Sequence, residues 1–321
     1  MILAILVGSW LLKFAITPLH LQPDAQEVMI VPNSTLKNIT HQLVQGKVLR
    51  SSWEFLLLNK LMDSEAKLRS GNYTFNKNIT PYQLVTSLMR GRTTQGSITF
   101  IEGRTFKQMR EKIAQNDALK ATTTSMTDRQ ILDAIGVEAE NAEGLFFPDT
   151  FYFNRGIEDV VILKQSHTKM QQLLEKLWQQ RDNNLPYQTP YDALIMASII
   201  EKETGKASER PMIAGVFLNR LQIGMRLQTD PTVIYGMGEQ YHGNIRRKDL
   251  ITDTPYNTYT RTGLPPTPIA MPGLASIEAA LHPAKTKALY FVGKGDGSHA
   301  FSNSLIEHNR AVTQYQLKKG Q

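Results

Sequence analysis

The N-terminal residues of the chain are nearly all apolar. Met1 to Leu12 contains no charged residue, and after Lys13 the apolar character resumes until Pro18. A helix that spans a bilayer needs at least about 17 apolar residues. We therefore expect residues 1–18 to form a membrane anchor. A cleaved signal peptide and a buried core helix are the alternatives.

Residues 27–95 show the pattern of a small α/β unit. Leu36, Ile39 and Leu43 recur at helical spacing. The other predicted elements are a strand at 28–31, a helix at 53–61, a strand at 73–75 and a helix around 84–89. A unit of this size has a limited hydrophobic core, so we expect it to depend on its neighbour.

Residues 96–321 mix helical and strand-like patterns, which predicts an α+β fold for the chain as a whole. The predicted elements are a strand at 98–102, helices at 106–115, 128–135 and 160–178, and a β-hairpin of 289–292 with 299–302. The hairpin tip, 293–297, is rich in glycine but is not followed by a helix or a Lys-Ser/Thr pair. A nucleotide-binding loop is therefore not predicted.

Composition narrows the classes of function. The chain has 321 residues, enough for about two domains, and it contains no cysteine, which excludes disulfides and thiolate chemistry. The net charge of +7 suits an anionic lipid surface or an acidic polymer. Lys and Arg are spread along the chain, so nucleic-acid binding is not expected. The seven histidines show no metal-binding spacing and are interpreted as surface or packing residues.

The strongest local signal predicts a helix at about 190–204. Thr189 fits its N-cap, Pro190 its first position and Asp192 the third residue after the cap. No helix breaker follows until Gly205, which supplies a stop signal. The predicted helix is mostly apolar and ends in two glutamates.

Those two glutamates, Glu201 and Glu203, project more than about 90° apart because helical residues advance by about 100° each. They cannot form a close carboxylate pair of the retaining-glycosidase type. Glu203 lies one turn beyond Ile199 and Ile200, and both this apolar face and the helix dipole should raise its pKa. A raised pKa suits a general acid. The alternative is that both glutamates are solvated or salt-bridged, for example with Arg210.

Several longer motifs closely resemble the MltG/YceG family of endolytic murein transglycosylases. They lie at Glu143-Gly144, Phe147-Pro148-Asp149-Thr150, Ala197–Gly238, Tyr256-Asn257-Thr258-Tyr259, Gly263-Leu264-Pro265-Pro266 and Leu281-His282-Pro283-Ala284-Lys285. The resemblance implies a membrane anchor at 1–18, a LysM-like subdomain at 27–95 and a catalytic domain at 96–321 with a lysozyme-like active-site helix. It also implies an inner-membrane protein whose catalytic domain lies in the periplasm.

The resemblance further implies the chemistry. Glu203 would protonate the glycosidic oxygen and then deprotonate the C6 hydroxyl of muramic acid, which leaves a 1,6-anhydro end. No metal or organic cofactor is implied. The implied partners are peptidoglycan glycan strands and peptidoglycan synthases (penicillin-binding proteins), and the implied role is the termination of growing strands.

Residues near Glu203 in the matching motifs are candidates for binding the glycan. They are Glu201, Gln228, Asp230, Tyr256, Asn257, Thr258 and Tyr259. Tyrosine faces combined with hydrogen-bonding groups suit sugar recognition. As alternatives, Thr229 or Asp230 caps a helix that begins at Pro231, and 256–259 serves loop packing. Arg220 is interpreted as favouring the dipole at a helix end.

Two other functions remain open at the level of sequence. A hydrolase on the same scaffold would need a second carboxylate to activate water, and Asp230 is the candidate for it. A non-catalytic protein that binds the cell wall or a synthase would use the LysM-like unit. The nature of the cleaved ends separates the first alternative from a transglycosylase, and the absence of cutting would favour the second.

Overall fold

The computed structural model describes residues 2–22, 27–31, 34–64, 67–91 and 95–317. The regular elements of these residues are helices and short two-stranded sheets, so the predicted α+β class is confirmed. They divide into two compact units. The first comprises Met1–Ser97, Asp117–Lys120 and Tyr152–Ile157, and the second comprises Ile98–Asn116, Ala121–Phe151 and Glu158–Gln321.

In the described part of residues 2–91, the first unit contains four helices and two strands. They are α1 (Ile2–Ile16), β1 (Glu27–Ile30), α2 (Leu36–Gln45), α3 (Trp53–Leu61), β2 (Gly71–Thr74) and α4 (Pro81–Arg90). The strands pair antiparallel, with Ile30 opposite Gly71. Leu43, Phe55 and Leu84 are fully buried in the core of this unit. The helices and strands predicted from sequence are confirmed to within a few residues, and the LysM-like assignment stays a prediction.

Helix α1 has 15 residues and packs against α3 and α4 of the first unit. Trp10 on α1 stacks on Trp53, with ring centroids 4.8 Å apart. Among the described residues, no helix is both long enough and apolar enough to cross a bilayer.

Four further strands form two short sheets. They are β3 (Gln95–Thr99), β4 (Leu119–Lys120), β5 (Thr150–Asn154) and β6 (Ile157–Glu158), with β3 paired to β5 and β4 to β6. Strand β3 ends at Thr99, so the strand predicted at 98–102 lies about three residues too late. The reason is that the backbone beyond it bonds elsewhere: Gly103 N–H donates to the Met271 carbonyl at 2.8 Å.

The second unit is mainly helical. Its helices are α5 (Phe106–Ala114), α6 (Asp128–Ile135), α7 (Asp159–Gln179), α8 (Pro190–Glu203), α9 (Arg210–Gln222), α10 (Asp230–Met237), α11 (Arg247–Ile251), α12 (Leu274–Leu281) and α13 (Leu305–Val312). A 3-10 turn, Ala207–Glu209, precedes α9, and a π-helical turn, Thr313–Leu317, follows α13. The predicted hairpin is confirmed as β7 (Tyr290–Gly293) and β8 (His299–Ser302), paired antiparallel.

Helix α8 forms the centre of the second unit. Every residue from 193 to 200 is buried, and the helix packs against α7, α9, α10 and α12. A helix that is apolar on all sides is stable only in such a position. Ser198 is the polar exception, and its hydroxyl donates to the Ile195 carbonyl while accepting from the Ile269 N–H at 3.0 Å. The surrounding helices therefore fix α8 rigidly up to its last turn.

Candidate active site

The start of helix α8 carries the predicted capping box. The Thr189 hydroxyl accepts from the Asp192 N–H at 3.3 Å, and the Asp192 carboxylate accepts from the Thr189 N–H at 2.9 Å. Pro190 occupies the first helical turn, where no N–H is needed. The helix ends at Glu203, because Thr204 adopts an extended conformation. The prediction of a helix at 190–204 is confirmed to within one residue.

Glu203 is a carboxylate in a largely desolvated position at the C-terminal end of α8. Ile199 and Ile200, one turn earlier, are fully buried. The hydroxyl of Thr229 donates a hydrogen bond to the Glu203 carboxylate. Burial raises the pKa of Glu203 to about 6; the Thr229 hydrogen bond opposes this rise, and the nearby Asp230 charge adds to it. Glu203 therefore keeps its proton closer to neutral pH than an exposed glutamate does.

Thr229 is held in place by a small network of hydroxyl groups. It occupies the N-cap position of α10, but its hydroxyl makes no capping bond and donates to Glu203 instead. Its N–H donates to the Thr258 hydroxyl at 3.1 Å, and that hydroxyl lies 2.8 Å from the Thr232 hydroxyl. All three threonines are buried. The network therefore fixes the donor that faces Glu203.

A cleft of about 470 Å³ opens beside Glu203 in the second unit. Of the predicted binding residues, Gln228, Asp230 and Tyr259 line it. The Tyr259 hydroxyl donates to the Asp230 carboxylate at 2.6 Å. Gln228 has a left-handed backbone with φ of 50°, and its N–H donates to the Thr258 carbonyl at 3.1 Å. These three side chains form one wall of the cleft.

The rest of the motif 256–259 does not line this cleft. The Asn257 amide group donates to three backbone carbonyls, those of Asp249, Leu250 and Thr252, and its oxygen accepts from the Tyr259 N–H. Tyr256 bonds Thr267 and packs its ring on another tyrosine. The structure thus places Asn257 and Thr258 as supports of the wall. A direct contact of Tyr256, Asn257 or Thr258 with glycan stays a prediction.

Glu201 points away from the cleft. Its carboxylate forms a 3.1 Å ion pair with Arg210 and accepts from the Gly273 N–H at 3.0 Å and the Ser276 hydroxyl at 2.7 Å. Its side chain is only 6 % exposed. The alternative of a salt bridge to Arg210 therefore describes Glu201, whereas Glu203 has no such ion pair among the described residues. The geometry favours an anchoring role for Glu201 over the predicted binding role.

Another part of the cleft lining comes from residues that sequence reasoning did not select. The hairpin contributes Tyr290, Phe291 and His299, and α13 contributes His308. The imidazole of His308 stacks on Tyr290, with ring centroids 5.2 Å apart. The hairpin itself was predicted, but no local pattern connects it to Glu203, which lies roughly ninety residues earlier in the chain.

Arg220 also differs from its predicted role. It is buried, and its guanidinium donates to the carbonyls of Leu289 (2.7 Å) and Leu227. These bonds join α9 to the start of the hairpin and to the segment that carries Gln228. Arg220 therefore connects the two segments of the chain that line the cleft. This role goes beyond the predicted interaction of Arg220 with a helix dipole.

The site combines one acid/base group with an open cleft of polar and aromatic side chains. Among the described residues, no three His, Asp or Glu side chains are grouped closely enough to bind a metal ion. A single carboxyl with a pKa near 6 can donate a proton and take one back. Aromatic faces and hydrogen-bonding groups around it suit a polar, extended ligand such as a glycan. The fold and the site are those of an enzyme that uses general acid–base catalysis.

Sequence and structure comparisons identify the family. The model of the YceG-like family matches residues 28–314, so the chain belongs to this family. A crystal structure of a yceG-like protein from Listeria monocytogenes superposes with a TM-score of 0.55 and 31% sequence identity. The match covers 88% of this chain and 98% of the Listeria chain.

Curated relatives carry a functional name. An endolytic murein transglycosylase of Bacillus subtilis is 32% identical over 316 residues, which cover 92% of this chain and 86% of that protein. An endolytic murein transglycosylase of Streptococcus pneumoniae is 28% identical over 77% of this chain. The matched region is 51% of the pneumococcal protein's length.

Neutralising Glu203 should stabilise the fold. A pKa raised from 4.5 to about 6 means that ionised Glu203 costs about 2 kcal/mol in the folded state. The cost applies above pH 6 and vanishes below pH 4.5, where the carboxyl is protonated in both states. We expect Glu203→Gln to raise the free energy of unfolding by about 1–2 kcal/mol at pH 7.5 and by only a few tenths at pH 4.5, measured by urea denaturation.

The matched control is Glu201→Gln on the same helix. It leaves Arg210 buried without its charged partner, so it should lower the free energy of unfolding at pH 7.5 by roughly 1–3 kcal/mol. Equal effects of the two substitutions, or destabilisation by Glu203→Gln at pH 7.5, would contradict the assignment of Glu203 as an unpaired, desolvated carboxyl.

Proposed function

We propose that the protein is an endolytic lytic transglycosylase. It cleaves the β-1,4 bond between N-acetylmuramic acid (MurNAc) and N-acetylglucosamine (GlcNAc) in peptidoglycan and leaves 1,6-anhydro-MurNAc ends. The observation that carries the proposal is the desolvated Glu203 carboxyl, with a pKa near 6, at the edge of a sugar-sized cleft. The family and the names of the relatives support the same activity.

The first step uses Glu203 as a general acid. Its proton passes to the glycosidic oxygen as the bond from that oxygen to C1 of MurNAc breaks, and positive charge develops at C1. The leaving sugar departs with a new hydroxyl group. Glu203 is then an ionised carboxylate in the position where the Thr229 hydroxyl donates to it, and this hydrogen bond stabilises the charge.

The second step uses the same carboxylate as a base. Glu203 takes the proton of the C6 hydroxyl while that oxygen bonds to C1, and the 1,6-anhydro ring closes. The enzyme regains its starting protonation state without water or a second carboxylate. Asp230, whose charge is held in the cleft by Tyr259, is suited to stabilising the positive charge at C1.

The proposal extends to location and partners. Residues 1–18 anchor the protein in the inner (cytoplasmic) membrane, and the catalytic domain 96–321 works in the periplasm on nascent strands beside a peptidoglycan synthase. The absence of charged residues from 1–12 supports the anchor. The proposal includes a LysM-like subdomain at 27–95, which either binds glycan or orients the catalytic domain.

The products of cleavage test the proposal. Purified peptidoglycan strands are incubated with the wild type, with Glu203→Gln and with Glu278→Gln, which changes an exposed carboxylate away from the cleft. We expect products that end in 1,6-anhydro-MurNAc from the wild type and Glu278→Gln, and at least a hundredfold loss with Glu203→Gln. Mass spectrometry identifies the ends, because an anhydro end is lighter than a reducing end by one water.

Other outcomes of this experiment support other functions. Reducing ends would replace the transglycosylase by a hydrolase, and Asp230→Asn would then be the variant that loses activity. Cleavage that persists in Glu203→Gln would remove Glu203 from its role. A folded wild type that binds glycan without cutting it would favour the non-catalytic scaffold.

The Thr229 hydrogen bond makes a separate prediction about pH. Thr229→Val removes a donor that stabilises the ionised carboxylate, so the pKa of Glu203 should rise further. A hydrogen bond to a charged group contributes roughly 1.5–3 kcal/mol, so we expect the fall of kcat/KM at alkaline pH to move up by about one to two pH units. Thr229→Ser keeps the hydroxyl and should leave the profile in place. An unchanged profile in Thr229→Val would show that this bond does not tune the acid.

A further inference from the structure

A histidine–carboxylate pair has its histidine, His299, in the lining of the cleft. His299 is the first residue of β8, and Glu209 ends the 3-10 turn before α9. One Glu209 oxygen accepts from His299 Nδ1 at 2.7 Å, and the other accepts from the His299 backbone N–H at 3.1 Å. The two side chains are only 16 % and 13 % exposed. Glu209 therefore fixes both the ring and the backbone of His299.

Glu209 also determines that Nδ1 of His299 carries a hydrogen. Burial raises the pKa of Glu209, but the hydrogen bonds from His299 outweigh this effect and leave that pKa below its usual value. Glu209 is thus ionised at neutral pH and can only accept hydrogen bonds. Nδ1 must therefore carry a hydrogen, and Nε2 is the ring nitrogen left for another partner, as an acceptor in the neutral ring and as a donor in the protonated ring. Among the described residues, none forms a hydrogen bond with Nε2.

Aromatic neighbours hold the imidazole ring in this orientation. The ring of Phe291 meets it edge to face at 5.4 Å between centroids, and Phe301 lies at 6.4 Å on a tilted plane. His299 lines the same cleft as Glu203, and a positive charge on its ring lowers the pKa of that carboxyl. A fixed imidazole with an unused ring nitrogen therefore lines the cleft that also contains Glu203.

We propose that His299 contacts the bound glycan through a hydrogen bond between Nε2 and a sugar hydroxyl, and that Glu209 is its positioning residue. The proposal rests on the proposed function, because it assigns a further binding residue to the same cleft. A role in folding alone would need only the Nδ1 bond and the aromatic packing. A role in folding alone does not explain why His299 lines the cleft. It also does not explain why Nε2 has no hydrogen-bond partner among the described residues.

Glycan binding without cleavage tests the proposal. All variants are made in the Glu203→Gln chain, and a GlcNAc–MurNAc tetrasaccharide is titrated by calorimetry. Loss of one hydrogen bond should weaken binding by about five- to tenfold in His299→Ala. His299→Gln carries an amide near the position of Nε2 and should recover most of the affinity. Glu209→Gln should weaken binding less than His299→Ala, and the double variant should bind like His299→Ala alone.

The chain supplies a matched control in His282. This residue forms the same kind of pair, with Nδ1 2.8 Å from the Asp182 carboxylate, but it does not line the cleft. His282→Ala should leave the affinity unchanged. Melting temperatures of all variants show whether each chain is folded.

Two results would overturn the proposal. One is undiminished binding by folded His299→Ala, and the other is equal weakening by His282→Ala. Failure of the proposed function looks different, because the chain with His299 intact and Glu203 restored would then fail to cleave peptidoglycan.

Discussion

The hydrogen bond from Thr229 to Glu203 is the interaction on which the site depends. Burial of Glu203 disfavours its charge, and this single donor from a buried hydroxyl network limits the penalty. The balance leaves a carboxyl that titrates close to neutral pH. A larger set of hydrogen-bond donors around Glu203 would hold this carboxyl ionised and unable to act as an acid.

The fold provides this balance through the placement of one helix. Helix α8 is capped firmly at Thr189 and buried along its middle, so its last residue has little freedom to move. Glu201 binds Arg210 and α12 on one side, and Glu203 meets the start of α10 on another. Two carboxylates separated by one residue thereby receive opposite environments, one fully paired and one nearly unpaired.

The sequence predicted the local parts of the site and missed the contacts between distant segments. The capping signals at 189–192 located α8, and the apolar positions 199 and 200 indicated a desolvated Glu203. Capping of α10 by Thr229 or Asp230 is one of the alternatives that the sequence leaves open, and it does not reveal the bond to Glu203, because a cap and a carboxylate donor use the same hydroxyl. His299 gave no signal, because a single histidine has no periodicity and its partner Glu209 lies 90 residues away.

The activity of the site depends on Glu203 as a desolvated carboxyl that accepts a hydrogen bond from Thr229 and titrates near neutral pH. The most direct measurement is an NMR titration of the glutamate side-chain carboxyls in the carbon-13-labelled protein, with the Glu203 signal identified by its loss in Glu203→Gln. We expect the titration of the Glu203 carboxyl to have its midpoint near pH 6. A midpoint at or below the ordinary value of 4.5 would mean that Glu203 is solvated or paired, and would contradict the account.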